Sequence, residues 1–332
     1  MKKFISTLLL LAVCIAGLIA YDAYVFLRAP LAASVQNFEL EVRPGDNIRG
    51  IARTLAEREL LARPRWLEFY TRYTGEARQI KTGEYQLSTT LTPMELVAEI
   101  KKGTQRQFSF TILEGWNIWQ LREALAKDPV LVHATKGVKD EDLLAFIGAD
   151  PGHPEGQFLP DTYNFPKGTT DAEFLKRAHD ALNAELSEVW SNRQPDLPIS
   201  KPYDVLILAS IIEKETSIAA EREMVSGVIT GRLRIGMRLQ MDPTVIYGIG
   251  KNFNGNITRK DLRTPTAYNT YTIAGLPPTP IAMSGAATLR AAVNPADTKA
   301  LYFVADGTGG HVFNETVEAH NEAVRQYILK KK

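Results

Sequence analysis

The chain has 332 residues, 45% hydrophobic and 23% charged, with 39 Lys plus Arg against 38 Asp plus Glu. This is ordinary globular composition at a length that suits about two domains. The balanced charge argues against a nucleic-acid partner and against a disordered acidic chain.

The N-terminus stands apart. Met1-Lys2-Lys3 precedes the uncharged run Phe4 to Ala20, and the apolar character resumes past Asp22 as far as Leu27. Spanning a bilayer core takes about 20 such residues. Residues 1–27 are therefore expected to form one transmembrane helix. Lys2 and Lys3 would hold its N-terminus in the cytoplasm, with Tyr21 and Tyr24 at the far interface. A cleaved signal peptide shares the charged start, but no clear small-x-small site ends this one. Cys14, the only cysteine, follows Val13 rather than a small residue, which argues against a lipoprotein. The rest of the chain has no thiol to serve as metal ligand, nucleophile or disulfide partner.

Residues 28–37 read as a short linker. Phe38 to Val42 alternates like a strand, and Arg43-Pro-Gly-Asp46 is turn chemistry. Asp46 or Asn47 would cap a helix through Ile48, Ile51, Ala52 and Leu55. A second helix is expected from Pro64 to Tyr73, and a strand from Thr82 to Leu87. Thr92, Pro93 and Glu95 form a capping box that opens a third helix, ending at Gly103. A weak repeat links Val42-x-x-Gly45-x-Asn47-Ile48 with Ile112-x-x-Gly115-x-Asn117-Ile118. The first copy resembles the opening of LysM domains, which bind glycans containing N-acetylglucosamine. A generic strand–turn–helix unit gives the same pattern. The second copy is expected to begin a new domain near residue 108.

From about Asp140 to Trp190 the pattern is helical, broken by the loop Asp150 to Pro154. Two further helices are expected, one ending at Glu213 and one over about Glu221 to Gly236. After them the chain is rich in Gly, Pro, Asn and Tyr, and loops of such length are usually functional.

Glu213 is the most informative residue. Leu206, Ile207, Leu208, Ile211 and Ile212 surround most of its helix, so the helix is expected to be buried. A carboxyl in apolar surroundings has a raised pKa and can act as a general acid. The alternative is a helix end where Glu213, Lys214 and Glu215 meet water. Asp242 before Pro243 is either an N-cap or a functional carboxylate. Gln240 has no such structural excuse. Tyr268, Asn269 and Tyr271, beside the rigid loop Gly275 to Ile281, suit sugar binding, with rings on sugar faces and amides on hydroxyls. A packed loop with buried Tyr serves equally well. Glu155, Asp161 and Tyr163 lie around turn residues and are weaker candidates. The five histidines show no metal-ligand spacing, so neither a metal nor another cofactor is expected.

Leu208 to Thr216 (with Glu213-Lys-Glu-Thr), Arg232 to Tyr247 (with Gln240-Met-Asp-Pro-Thr-Val-Ile-Tyr), Tyr268-Asn-Thr-Tyr271, Gly275-Leu-Pro-Pro278 and Tyr302 to Gly307 together resemble the endolytic murein transglycosylase, or YceG-like, family. The resemblance covers the whole chain. It implies a lyase anchored in the bacterial inner membrane by a single pass, with its catalytic domain periplasmic. It also implies cleavage within nascent peptidoglycan strands, with peptidoglycan synthase complexes as partners. The catalytic glutamate would be Glu213. Gln240, Asp242, Tyr268, Asn269, Tyr271, Glu155, Asp161 and Tyr163 would line the substrate site. The expected fold is α+β: transmembrane helix 1–27, linker 28–37, LysM-like subdomain 38–107 and a larger mixed α/β catalytic domain 108–332. A hydrolase using Asp242 or Asp161 as base, and a glycan-binding scaffold without catalysis, remain the alternatives.

Overall fold

The computed structural model describes residues 2–31, 36–43, 45–103 and 105–329. Residues 32–35 of the expected linker, Pro44 of the expected turn, Met1 and the side chains of Lys2 and Lys3 lie outside the described residues. The chain divides into two compact units, Met1–Phe108 with Asn164–Gly168, and Ser109–Tyr163 with Thr169–Lys332. Each is described by itself.

The first unit begins with α1 (Lys2–Arg28), whose span Phe4–Arg28 has a mean hydropathy of 2.5 and is long and apolar enough to cross a membrane. Its last turns belong to the folded unit. Asp22 accepts hydrogen bonds from Arg63 and from Trp66 Nε1, the latter at 3.1 Å, and Phe26 packs on the core. After α1 come β1 (Asn37–Val42), α2 (Ile48–Glu57), α3 (Pro64–Tyr73), β2 (Gly83–Ser88) and α4 (Pro93–Lys102). β1 and β2 pair antiparallel, setting Phe38 opposite Leu87 and Leu40 opposite Tyr85. Strand period two puts these side chains on one face, over Ile51, Leu55, Leu67 and Leu96 of the helices. Asn47, not Asp46, caps α2, accepting from Gly50 N at 3.0 Å. At α4 the Thr92–Glu95 capping box closes and Gly103 ends the helix at φ +74°.

Because Asp22 and Phe26 hold to this core, the place of truncation matters. A chain lacking residues 1–20 is expected to be soluble with unit one intact. Loss of residues 1–27 should lower its melting temperature by several degrees, since 1 kcal/mol is worth roughly 4–8 °C in a domain of about 100 residues. Thermal unfolding of the two truncations side by side is the check, and equal midpoints would deny the tail of α1 a structural role.

The elements that follow are β3 (Gln107–Thr111), α5 (Ile118–Lys127), α6 (Asp140–Phe146), β4 (Thr162–Pro166), α7 (Asp171–Ser191), α8 (Pro202–Glu215), α9 (Arg222–Arg234), α10 (Asp242–Ile249), α11 (Arg259–Arg263), α12 (Ala286–Val293), β5 (Tyr302–Ala305), β6 (His311–Asn314) and α13 (Val317–Val324). The expected helical stretch from Asp140 to Trp190 is thus broken by a strand. Prolines at 154, 160 and 166 interrupt any helix there, and alternate burial of Tyr163 and Phe165 shows the strand period. The Gly- and Pro-rich tail also carries more regular structure than expected, with β5 and β6 as an antiparallel hairpin.

The second unit is built around α8. Every residue from Val205 to Ile212 is buried, with α7, α9, α10 and α12 packed about it. A helix apolar on all sides needs such a jacket. Pro202 opens it, and Asp204 accepts from the backbone N–H groups of Ser200 and Lys201 at 3.0 and 3.2 Å. Ser210, deep in the helix, donates to Ile207 O at 2.8 Å and accepts from Ile281 N at 2.9 Å. That second bond fixes the chain entering α12, which carries the partners of Glu213.

Candidate active site

Glu213 lies in the last turn of α8, its side chain only 6% exposed. Its Oε2 accepts from Gly285 N at 3.2 Å, at the N-terminus of α12, where free N–H groups favour an anion. Arg222, the first residue of α9, brings a guanidinium nitrogen to 3.8 Å from Oε1 and 3.5 Å from Glu114 Oε2. Burial pushes the Glu213 carboxyl above the ordinary range. Thr288, the Gly285 N–H and Arg222 oppose that shift, and Glu114 adds to it. The Thr288 hydroxyl faces the carboxyl but completes no hydrogen bond of good geometry, and Arg222 Nε and Ser284 Oγ are likewise buried without a partner. A carboxyl whose pKa burial raises, beside the Thr288 hydroxyl and the Arg222 guanidinium, can give and retake a proton.

Glu114 comes from the turn of the second repeat copy. Gly115 N donates to Met283 O at 2.8 Å, and Met283 N donates to Trp116 O at 2.6 Å. Lys214 Nζ adds a bond to Gly115 O at 3.2 Å. The turn is thereby stitched to the segment before α12. A Cβ on Gly285 would lie 1.8 Å from Glu114 Oε1, so any other residue there would push the Glu114 carboxylate aside. The same turn starts α5, capped by Asn117, which accepts from Gln120 N at 3.0 Å.

The other candidates divide into two groups. Gln240, Asp242 and Tyr271 gather around Glu215 and line a cavity of about 380 Å³ with it. Of the two readings open for Asp242, the N-cap does not hold. Asp242 is the first residue of α10, behind Met241, and its Oδ1 instead accepts from Tyr271 Oη at 2.5 Å. The remaining candidates are elsewhere. Glu155 is fully buried, accepting from Ile118 N at 3.0 Å and from Tyr247 Oη at 3.0 Å. Asn269 is 1% exposed; its amide nitrogen donates to the carbonyls of Asp261, Leu262 and Thr264 at the end of α11. Tyr163 is buried, with its hydroxyl on Leu159 O at 2.8 Å. These three brace the scaffold, and none is exposed. Tyr268 packs on Tyr247 at 4.8 Å and bonds Thr279, while Asp161 is exposed at the start of β4. Glu114 is among the groups acting on Glu213, and sequence reasoning overlooked it although it sits one residue before the repeat glycine. Arg222, Gly285 and Thr288 carried no signal, because nothing in their sequence spacing links them to Glu213.

Residues 40–326 match the model of the YceG-like family. The chain belongs to the YceG-like family. Among its relatives, a Bacillus subtilis (strain 168) protein named endolytic murein transglycosylase is 29% identical over 309 residues, covering 88% of this chain and 85% of the relative. A protein of the same name from Streptococcus pneumoniae serotype 2 is 26% identical, and there 98% of this chain spans 65% of the longer relative. The crystal structure of a YceG-like protein from Listeria monocytogenes superposes with a TM-score of 0.54 at 29% identity, covering 87% of this chain and 99% of that one.

Two enclosed carboxyls make this YceG-like chain's stability depend on pH. Burial pushes Glu155 up to about 7 and Glu215 up to about 8 from 4.5. The folded state therefore holds protons that the unfolded state releases once pH passes 4.5. The stability present below pH 4.5 is lost as pH rises toward 7 and 8, on the order of a few kcal/mol in all. The melting temperature should fall between pH 5 and pH 8. Glu155→Gln and Glu215→Gln should each flatten that slope, and calorimetry across the range is the measurement. A wild-type midpoint that rises over this range would contradict it.

Proposed function

We propose that this protein is a peptidoglycan lytic transglycosylase acting within glycan strands, with Glu213 as its single acid/base. The observation that carries this reading is the enclosed carboxyl of Glu213 between the N-terminus of α12 and Arg222. The names of the relatives supply the substrate class. Glu213 gives its proton to the oxygen of the MurNAc–GlcNAc bond as that bond breaks. The carboxylate then takes the proton of the C6 hydroxyl as this oxygen attacks C1 of the same N-acetylmuramic acid, leaving a 1,6-anhydro end. The nucleophile is already tethered, so one carboxyl suffices and water is not consumed. Ser284, Thr288 and Arg222 have polar atoms to spare for the charge that develops. Cutting strands within the chain would end their elongation, with synthase complexes as neighbours. α1 would anchor the protein in the inner membrane, N-terminus cytoplasmic and both units periplasmic. The strand–helix–helix–strand order of unit one supports a LysM-like role in holding the glycan.

The second reading is a hydrolase, and what favours it is Glu114, a second carboxylate sharing Arg222 with Glu213. Enzymes of that kind normally use two carboxyl groups. Mass spectrometry of the products from purified peptidoglycan separates the two. Anhydro ends are expected from the wild type, and from an Asp242→Asn chain at reduced yield. Free reducing ends from the wild type would defeat the transglycosylase reading.

A further inference from the structure

α3 presents an exposed row of aromatic rings. Its inner side is Leu67 and Thr71, both fully buried. On its outer side Phe69 is 63% exposed and Tyr73 84%. These two stand four residues apart and stack, with ring centroids 6.3 Å apart. Trp66 meets Phe69 edge-on, also at 6.3 Å, and extends the row toward the start of the helix. At 100° per residue Arg65 and Arg72 flank Phe69 on the same side, and both are exposed. Large rings laid side by side on a surface and rimmed by arginines mark a docking face.

What the row docks on follows from where it begins. Trp66 Nε1 donates to Asp22 Oδ2 at 3.1 Å, and Arg63 donates to the other carboxylate oxygen. Asp22 belongs to α1. Counted from Phe4, the about 20 residues that cross a hydrocarbon core end near Ala23. Asp22 thus sits at the edge of the hydrocarbon, where a carboxylate is costly unless paired, and Arg63 and Trp66 pair it. The clamp sets the start of the aromatic row at the level where α1 leaves the bilayer core. One turn on, α1 has an exposed pair of its own: Tyr24, with the Arg28 guanidinium 4.6 Å from its ring centroid. Aromatic rings favour this depth, and arginines there meet lipid phosphates. A sugar also stacks on aromatic rings, but that gives no reason for the row to begin at the apolar helix.

We propose that the outer face of α3 rests on the lipid surface beside α1, with Phe69 and Tyr73 among the headgroups and Arg65 and Arg72 on lipid phosphates. Helices that lie in this way bury their apolar face about 5–10 Å deep at the boundary of headgroups and acyl chains. The contact holds unit one against the membrane, where α1 alone would let it swing. The inference rests on the reading of α1 as a membrane anchor.

The test uses the full chain reconstituted in vesicles of phosphatidylcholine with about one-third phosphatidylglycerol. A nitroxide on the native Cys14, exposed on α1, reports on the anchor. In a Cys14→Ser chain, a nitroxide on Arg65→Cys reports on α3, and one on Arg53→Cys, from the exposed side of α2, is the aqueous reference. Collision with a water-soluble nickel chelate is expected to be about fivefold slower at position 65 than at position 53. Adding Phe69→Ser with Tyr73→Ser should bring position 65 back to the value at 53. Every changed side chain on α2 and α3 is exposed, and circular dichroism of the same samples verifies the fold. Equal collision rates at the two positions overturn the docking face. If the N-acetylglucosamine tetramer protects position 65 and the bilayer does not, the row is a glycan surface and the proposal falls. A Cys14 nitroxide open to the chelate sinks the anchor reading and the docking face with it. A protected Cys14 beside an unprotected position 65 sinks the docking face alone.

Discussion

Glu213→Gln is expected to abolish peptidoglycan cleavage while leaving the fold intact. The amide is nearly isosteric and can still accept from Gly285 N, so the contact at the start of α12 survives. It can neither donate nor retake the catalytic proton. A well-placed general acid contributes about 10²- to 10⁴-fold to a rate, so a loss of at least 10²-fold is expected. The pH profile carries a second signature. Glu213 must be protonated to act, and burial raises its pKa, so activity falls as pH rises through that elevated value. Glu114 pushes in the same direction as burial, so Glu114→Gln should move the alkaline limb to lower pH. Product release from purified peptidoglycan, measured with far-UV circular dichroism of the same samples, checks all three statements. A well-folded Glu213→Gln chain retaining more than a few per cent of activity would remove Glu213 from the acid/base role.

Gly156→Ala is expected to be the most damaging small change in the second unit. Gly156 sits at φ +71°, where a side chain costs roughly 1–2 kcal/mol. An added Cβ would also lie 2.4 Å from Pro280 Cβ and 3.2 Å from Ala282 O. The Pro280 ring cannot swing away, so the backbone must move, and overpacking of this kind costs about 1–3 kcal/mol more. The melting temperature should fall by roughly 5–15 °C, taking 2–4 °C per kcal/mol for a unit of this size. Activity should fall too, because the displaced segment leads through Met283 and Ser284 to Gly285. Differential scanning calorimetry with the cleavage assay is the measurement. A midpoint within 2 °C of wild type would show that the contact yields at little cost.

Local chemistry was legible wherever the cause of a structure lies within a few residues. The Thr92–Glu95 box, the Asn47 and Asn117 caps after their glycine turns, and the burial of α8 all follow from side chains on the same turn or helix. Asp242 stayed open between an N-cap and a functional carboxylate for the converse reason. An Asp before Pro is a good cap when nothing else competes, but Tyr271, 29 residues away, offers the carboxylate a hydroxyl. The strand at Thr162–Pro166 was missed because its five residues are too few to show a period against the helical sequence around them.

The sequence by itself determined that α8 is apolar on every side and ends in a run of two glutamates and a lysine. It thereby singled out Glu213 as a carboxyl in apolar surroundings. Only the tertiary structure decided which groups surround it. Gly285 arrives from the start of α12 and Glu114 from the turn before α5, both far from Glu213 in the chain, and Arg222 from the start of α9, the next long helix. Only tertiary packing, too, sent Glu215 to the opposite side, beside Arg232 and Asp242. Periodicity reports which face of a helix is apolar, because that depends on neighbours three and four residues away. The pairing of charges across a core depends on how separate elements pack, and no local pattern encodes it.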